Sequence, residues 1–362
     1  MGWQPCPKIE IAMKILFLPV NVASMQTITA VALNQFEGIE AHCIVDQQNP
    51  DANVNETVLV IPRTSKKELF KSIYYALTYF KKIKHWIEWA DVLHYVYTPG
   101  DKFHRDLKYA YNLRKKIFVE YVGSDIRVPQ LLAEINPYYK FLLDNKLFEY
   151  SAVEKNNGNY ELQNVFHKYG AIPIVNPEMK IYLKPNLYPK VVDLFIRIDV
   201  ENINPIFPTL DTSKIRIVHS PSAKYAKGSQ YIIPLVNKLS QIYPIDFVLN
   251  HKRPRQEVLD TLVYADIFID QIIAGSYGMA SIEAMAYGKP TICYIMNEVF
   301  NNGLPRSCPI VNANPDTLEE KLVELIESAC LRREIGIRSR KFVEEYHNVN
   351  SIAHQLLKVY NS

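Results

Sequence analysis

Short runs of β-branched and aromatic residues alternate along the chain with longer stretches whose apolar positions recur at helical spacing. In the first half the runs are KILFLP (14–19), AHCIV (41–45), VLVI (58–61), DVLHYV (91–96) and IFVEYV (117–122). A second series follows: KIRIVHS (214–220), IDFVLN (245–250), DIFID (266–270), PTICYI (290–295) and PIV (309–311). Strand-like runs separated by helical patterns mark parallel sheets with crossover helices, so two series predict two doubly wound sheets in tandem. Between them, 176–211 is interrupted by Pro177, Pro185, Pro189, Pro205 and Pro208, the composition of a linker. The expected organisation is α/β throughout. A Rossmann-like domain spans 13–184, a second spans 185–345, and a closing helix over 346–362 can cross back to the first.

Composition narrows the class. With 48% hydrophobic and 22% charged residues in 362, the chain reads as globular rather than disordered. Its most apolar stretch, 15–22, contains Pro19 and Asn21 and is far shorter than the roughly 18 to 20 residues a membrane-spanning helix needs. The opening MGWQPCPKIEIAM has Pro5 and Pro7 where a signal peptide would be basic, so the expected location is the cytoplasm. The cysteines Cys6, Cys43, Cys293, Cys308 and Cys330 are scattered without a CxxC, as reduced thiols are, which argues against zinc or disulfide scaffolds.

A formal net charge of +3 conceals one local excess. Arg63, Lys66, Lys67, Lys71, Lys81, Lys82 and Lys84 stand against Glu68 alone. On a helix, Tyr75, Tyr79, Lys82, Trp86 and Trp89 fall near one face, and Leu69, Ile73, Leu77 and Phe80 form the expected core stripe. Two readings stay open: a solvated helix face, or peripheral contact of 63–91 with anionic lipid at the inner face of a membrane. No nucleic-acid partner is expected.

The usual nucleotide fingerprints are missing. After the first run comes Pro19-Val-Asn-Val-Ala-Ser24 rather than GxGxxG, Gly288-Lys289 is followed by Pro290 rather than Ser or Thr, and no Asp-x-Asp occurs. That disfavours dehydrogenases, P-loop NTPases and transferases that hold a metal through paired aspartates; the expected metal and cofactor sets are both empty. An anion would have to be bound by cations and backbone dipoles. Lys224 and Lys227 stand after one strand, just before Gly228 and a helix, where open α/β sheets bind ligands. Gly275 and Gly278 precede another helix near Met279, whose free N–H groups suit an anion. Glu283 lies five residues past Gly278, roughly 7.5 Å along a helix, an offset that suits a ribose diol. His219 and His94 close strands and read as satisfied core or rim histidines.

Here the sequence resembles a known family. HSPSAKYAKGSQYI, followed by ADIFIDQIIAGSYGMASIEAMAYGKPTI, is similar to the donor half of GT-B glycosyltransferases, in particular the retaining family-4 (group 1) enzymes. Those carry a Lys-Gly on the first loop and EGFGxxxxEAMAxGxPVV on the fourth. KILFLPVNVAS and EYVGSDIR resemble the family's opening strand and its HGSDIR turn. The resemblance implies two Rossmann-like domains across a cleft and a sugar moved from a UDP- or GDP-linked donor to a glycan or lipid-linked acceptor, with retention and without metal, in surface-polysaccharide or glycoconjugate synthesis.

By resemblance Lys227 neutralises the leaving diphosphate, with Lys224 in place of a neighbouring arginine, and Glu283 grips the ribose. Ser276, Tyr277, Gly278, Met279 and Ala280 cradle phosphate and sugar with Ser222, while Asn250 and His251 border the base. Asn21, Gly123, Ser124 and Arg127 face the acceptor. Two positions depart from the pattern: the motif's first Glu is Gly275 and its His is Val122. Asp270 or Gln271, and Asp125, are the candidates to take over those contacts. The alternatives are a non-catalytic GT-B subunit that binds a partner transferase, or a sugar-nucleotide epimerase.

Overall fold

The computed structural model describes residues 13–46, 58–61, 69–150 and 158–362. The first sheet contains seven parallel strands: β1 (Met13–Leu18), β2 (Ile39–Val45), β3 (Val58–Val60), β4 (Val92–Val96), β5 (Lys116–Tyr121), β6 (Ile172–Val175) and β7 (Val192–Asp193), in the order β3-β2-β1-β4-β5-β6-β7. The second contains β8 (Ile215–His219), β9 (Ile245–Leu249), β10 (Ile267–Ile269), β11 (Thr291–Cys293) and β12 (Val311–Asn312), ordered β12-β11-β10-β8-β9. In both, the order reverses beside the first strand. Such a reversal opens a crevice at the carboxyl ends of the flanking strands: β1 and β4 in one sheet, β8 and β10 in the other.

Helices of the first half are α1 (Met25–Leu33), α2 (Leu69–Trp89), α3 (Arg105–Asn112), α4 (Pro129–Ile135), α5 (Pro137–Asp144) and α6 (Gly158–Lys168). The second half has α7 (Lys224–Lys227), α8 (Ser229–Leu239), α9 (Arg255–Val263), α10 (Met279–Ala286), α11 (Asn297–Asn301), α12 (Leu318–Glu327), α13 (Ala329–Tyr346) and α14 (Val349–Asn361). Central strands such as β1 and β4 are buried along most or all of their length because helices cover both faces.

One strand, β7, lies where a linker was expected, and another, β6, immediately precedes that stretch. β6 and β7 add to the edge of the first sheet, which therefore extends past Lys184 to Asp193. The chain then crosses to the second sheet and returns after α13. The two crossings run side by side: Ile198 N–H donates to the His347 carbonyl at 2.9 Å, and Val349 N–H to the Ile198 carbonyl at 3.0 Å. Beyond that junction α14 lies on α1, burying Val349, Ile352, Leu356 and Tyr360 against Phe17, Leu33 and Phe118 of the first domain.

The inward face of α2 also differs from the expected stripe. Tyr79, Ile83 and Ile87 are at most 1% exposed, whereas Ile73 and Leu77 are 48% and 60% exposed. Trp86 and Trp89 pack their rings on His42 of β2 rather than facing solvent together. The helix carries apolar residues on two stripes, and the sheet covers the one that continues through Ile83 and Ile87 to Ala90. Residues 62–68, with Arg63, Lys66, Lys67 and Glu68, and the side chains of Leu69, Lys71 and Tyr75 lie outside the described residues.

A buried ionic cluster sits under the crossing. Arg197, fully buried, donates to Glu120 Oε1 at 2.5 Å, to Oε2 at 2.9 Å and to Thr29 Oγ1 at 2.5 Å. Burial alone would raise the Glu120 carboxyl, but Arg197 and His94 outweigh it and hold it well below the usual carboxylate range. His94 Nε2 lies 3.3 Å from Glu120 Oε2, and its Nδ1 is 2.6 Å from the Tyr360 hydroxyl of α14. Burial, opposed by Glu120, lowers the His94 pKa. A neutral imidazole protonated at Nε2 accepts from Tyr360 at Nδ1 and turns its N–H toward Glu120, a contact short of hydrogen-bond geometry.

Candidate functional site

The two crevices face one another, and between them lie two adjoining cavities. One, of about 490 Å³, is lined from the second domain by Ser222, Ala226, Lys227, Gln271, Ala274 and Gly278, and from the first by residues including Tyr97, Gly123, Ser124 and Arg127. The other, of about 450 Å³, is lined by Arg255, Gln256, Leu259, Met279 and Glu283, with Ala23, Ser24 and Ile28 opposite. They meet where Gly278 passes into Met279 on one side and Val22 into Ala23 on the other.

The β8 loop forms the short turn α7, which carries Lys227 at its end. Lys227 Nζ lies 2.7 Å from Asp270 Oδ1, at the end of β10, and Asp270 Oδ2 accepts from Ser281 of α10 at 2.7 Å. Burial disfavours charge on both partners, yet their attraction outweighs it: the lysine pKa is raised and that of the aspartate lowered. Both are charged at neutral pH. Lys227 lines the larger cavity and Asp270 does not, so the lysine is the half of the pair that borders the cleft. The Lys224 side chain lines neither cavity; its backbone N–H, with that of Ala226, is held by the Glu149 carboxylate from the first domain at 2.9 and 3.0 Å.

Glu283 projects from α10 into the second cavity, where Arg255 of α9 donates to Glu283 Oε1. Burial raises its pKa, partly offset by Arg255. Ala280, in the first turn of α10, lines neither cavity with its side chain. Gly275 does not reach the cleft. Its φ is +82°, and a Cβ there would lie 2.5 Å from Cγ of Met296, so the position is turned into the packed interior and suits glycine alone. Tyr277 likewise points inward, its hydroxyl 3.1 Å from His347 Nε2, while His347 Nδ1 donates to the Ile196 carbonyl at 2.5 Å. Burial lowers the His347 pKa to about 4, so this contact between loop and crossing is neutral. Ser276 is buried beside Tyr277, its carbonyl accepting from Gln271 Nε2.

The remaining candidates divide in the same way. Asp125 turns back on its own loop and accepts from the N–H groups of Val122 and Gly123; burial pushes its carboxyl up to about 7. Asn21 bonds Thr27 at the start of α1. Asn250 bonds Ser220 and Thr261, and His251 Nδ1 bonds the Pro221 carbonyl; neither residue lines the two cavities. His219 is satisfied by the Ile269 carbonyl and Ser229, with its pKa lowered to about 4 by burial. Sequence reading missed Arg255, Tyr97, Tyr150 and Glu149. Only the first two had a local signal, a cation opening a helix after β9 and an aromatic just past β4 at the reversal point. Tyr150 reaches across to Ser222 at 2.9 Å, a pairing no spacing reveals. Among the described residues no three His, Cys, Asp or Glu side chains converge as a metal site would require.

No family model matches the sequence, and no curated protein matches it. Solved structures do. Sucrose-phosphate synthase from Thermosynechococcus elongatus superposes with a TM-score of 0.63 at 13% identity, covering 96% of this chain and 98% of that one. A glycosyltransferase from Rickettsia africae gives 0.61 at 15% identity, over 96% and 97%. HepE from Anabaena, in complex with UDP, gives 0.60 at 13% identity, over 96% and 100%. The shared architecture is the GT-B fold: two parallel α/β domains facing across a cleft.

Proposed function

We propose that this chain transfers a sugar from a nucleoside diphosphate, UDP- or GDP-linked, to an acceptor held by the first domain, with the anomeric configuration kept and no metal involved. The observation that carries the reading is the line formed by Lys227, Gly278 at the start of α10, and Glu283 along two adjoining cavities. A diphosphate fits between the ammonium and the helix start, with the sugar toward Gln271 and Ala274 and the ribose at Glu283. Charge on the departing diphosphate would then be stabilised by a cation already oriented by Asp270, without reorganisation during the reaction. Turnover with a panel of labelled nucleotide sugars tests it. Neither transfer nor hydrolysis from any donor would end the enzymatic reading. Binding without turnover would support the non-catalytic alternative, which the inward-facing Gly275 favours.

Glu283→Ala should weaken nucleoside-diphosphate binding by about tenfold or more, since charge-assisted bonds to two hydroxyls contribute about 1.5–3 kcal/mol. The Arg255 side chain is 48% exposed, so its charge stays solvated in the variant and folding should be little affected. The charged carboxylate is the better acceptor, and burial raises its pKa. Parent affinity should therefore be flat at high pH and begin to fall, as pH drops, earlier than an ordinary glutamate would dictate. Titration calorimetry across pH checks both points; a variant that binds as tightly as the parent removes Glu283 from the ribose site.

We further propose that the outer face of α2 docks on anionic lipid. Ile73, Tyr74 and Leu77 are exposed, one turn before exposed Lys81, Lys82 and Lys84. Beside them Arg105 lies 5.5 Å from the Phe80 ring and 5.2 Å from that of exposed Phe103. Apolar side chains for the acyl boundary, ringed by cations worth about 1 kcal/mol each near an anionic surface, make such a face. No helix among the described residues is long and apolar enough to cross a membrane. The chain should co-sediment with phosphatidylglycerol vesicles at low salt, and Leu77→Glu should abolish this; failure of the parent to co-sediment would dispose of the idea.

A further inference from the structure

Donor chemistry accounts for one wall of the larger cavity, and the opposite wall has a character of its own. There the first domain supplies Tyr97, Tyr139, Phe148, Tyr150 and Arg127. Among the described residues no carboxylate lines the cavity. The three nearest by sequence and pairing are all turned away. Asp125 is bonded to its own loop, Asp270 stands behind Lys227, and Glu178 accepts from Arg127 Nη2 at 3.0 Å while lining a separate small cavity. Two cations from opposite domains therefore line one space, each paired with a carboxylate that lies outside its lining. A diphosphate satisfies Lys227 but leaves Arg127, on the other domain, with no role in the donor.

Arg127 is built to read an anion. Its planar fork matches the paired oxygens of a phosphate or carboxylate, which a lysine would meet only as a point charge. Its guanidinium lies over the turn at Gly123, Nη1 being 3.7 Å from where a Cβ of residue 123 would stand, an ordinary packing distance. The aromatic rings on the same wall offer faces for a pyranose.

Resting on the reading of this cleft as a transferase site, we infer that the acceptor is a sugar bearing an anionic group, a phosphate or a carboxylate, held by Arg127. Titration calorimetry of the whole chain at fixed ionic strength, with glucose 6-phosphate, glucuronate and glucose as probes, tests this with and without saturating nucleoside diphosphate. At least one charged sugar should bind tenfold or more tighter than glucose, and comparison of the two tells phosphate from carboxylate. Arg127→Met should abolish the preference while leaving nucleotide affinity unchanged. Should that variant misfold for want of its Glu178 partner, Glu178→Gln keeps the cation, removes its counter-ion and should tighten the charged sugar. Three results would overturn the inference: equal binding of charged and neutral sugars, no binding of either charged sugar, or Arg127→Met weakening the nucleotide as much as the sugar. Absence of nucleotide binding by the parent, with the anion preference intact, would instead count against the donor reading and leave the acceptor subsite standing.

Discussion

Replacing Lys227 by methionine should lower sugar transfer by about 100-fold or more, about 3 kcal/mol at the transition state, because the departing diphosphate loses the Lys227 ammonium in the larger cavity. The same change strands Asp270, whose side chain is 1% exposed and would keep only Ser281. Breaking a buried pair in this way costs about 3–5 kcal/mol of stability. The two effects separate in the double variant Lys227→Met with Asp270→Asn, which removes the orphaned charge. Stability, read from denaturant unfolding, should largely return in the double variant while transfer stays lost. If transfer also returns, Lys227 serves the fold and the diphosphate is held by something else.

Arg197→Met should be the most damaging change to the fold outside the cleft. It leaves Glu120 buried with only His94 beside it and removes a bond to Thr29, and its cost should again be about 3–5 kcal/mol. Of a total stability of roughly 5–15 kcal/mol this is a large share. The cluster also has a pH signature. Glu120 has a depressed folded pKa, so its contribution is complete above the unfolded value of about 4.3 and is lost as pH falls toward the folded one. Parent and variant should thus converge in stability in acid and diverge at neutral pH. Adding Glu120→Gln to Arg197→Met should recover part of the loss; a drop below about 1 kcal/mol in the single variant would show that the cluster contributes little.

The ten strands with strong β-branched runs were legible from the sequence, because buried parallel strands leave little choice of residue. β6 and β7 were not. Pro173 interrupts one and the other is two residues long, so their pairing depends on the neighbouring edge rather than on their own pattern. The inward face of α2 escaped for a different reason, since apolar residues occupy two of its stripes and only the sheet decides between them. Within the cleft, residues at strand ends beside the reversal points could be located by sequence: Lys227, Asp270, Gln271, Gly278 and Glu283. Where their side chains aim could not. Asp125, Asn21, Asn250 and Tyr277 all bond groups of their own surroundings, and Gly275 is explained only by Met296, twenty-one positions on. Arg255 meets Glu283 from another helix, a contact that no local spacing encodes.

The placement of α14 reverses the order in which the two halves can be completed. During synthesis a leading domain ordinarily finishes folding before the next emerges. Here the surface around Phe17, Leu33 and Phe118 is covered by Ile352, Leu356 and their neighbours, and His94 receives its hydroxyl partner from Tyr360. All of these lie downstream of every strand in both sheets. The second domain, assembled from contiguous strands, can close while the first is still bare on one side. The half of the protein made first is thus finished last, and a chain released short of its final helix would carry an exposed apolar face beside a complete second domain.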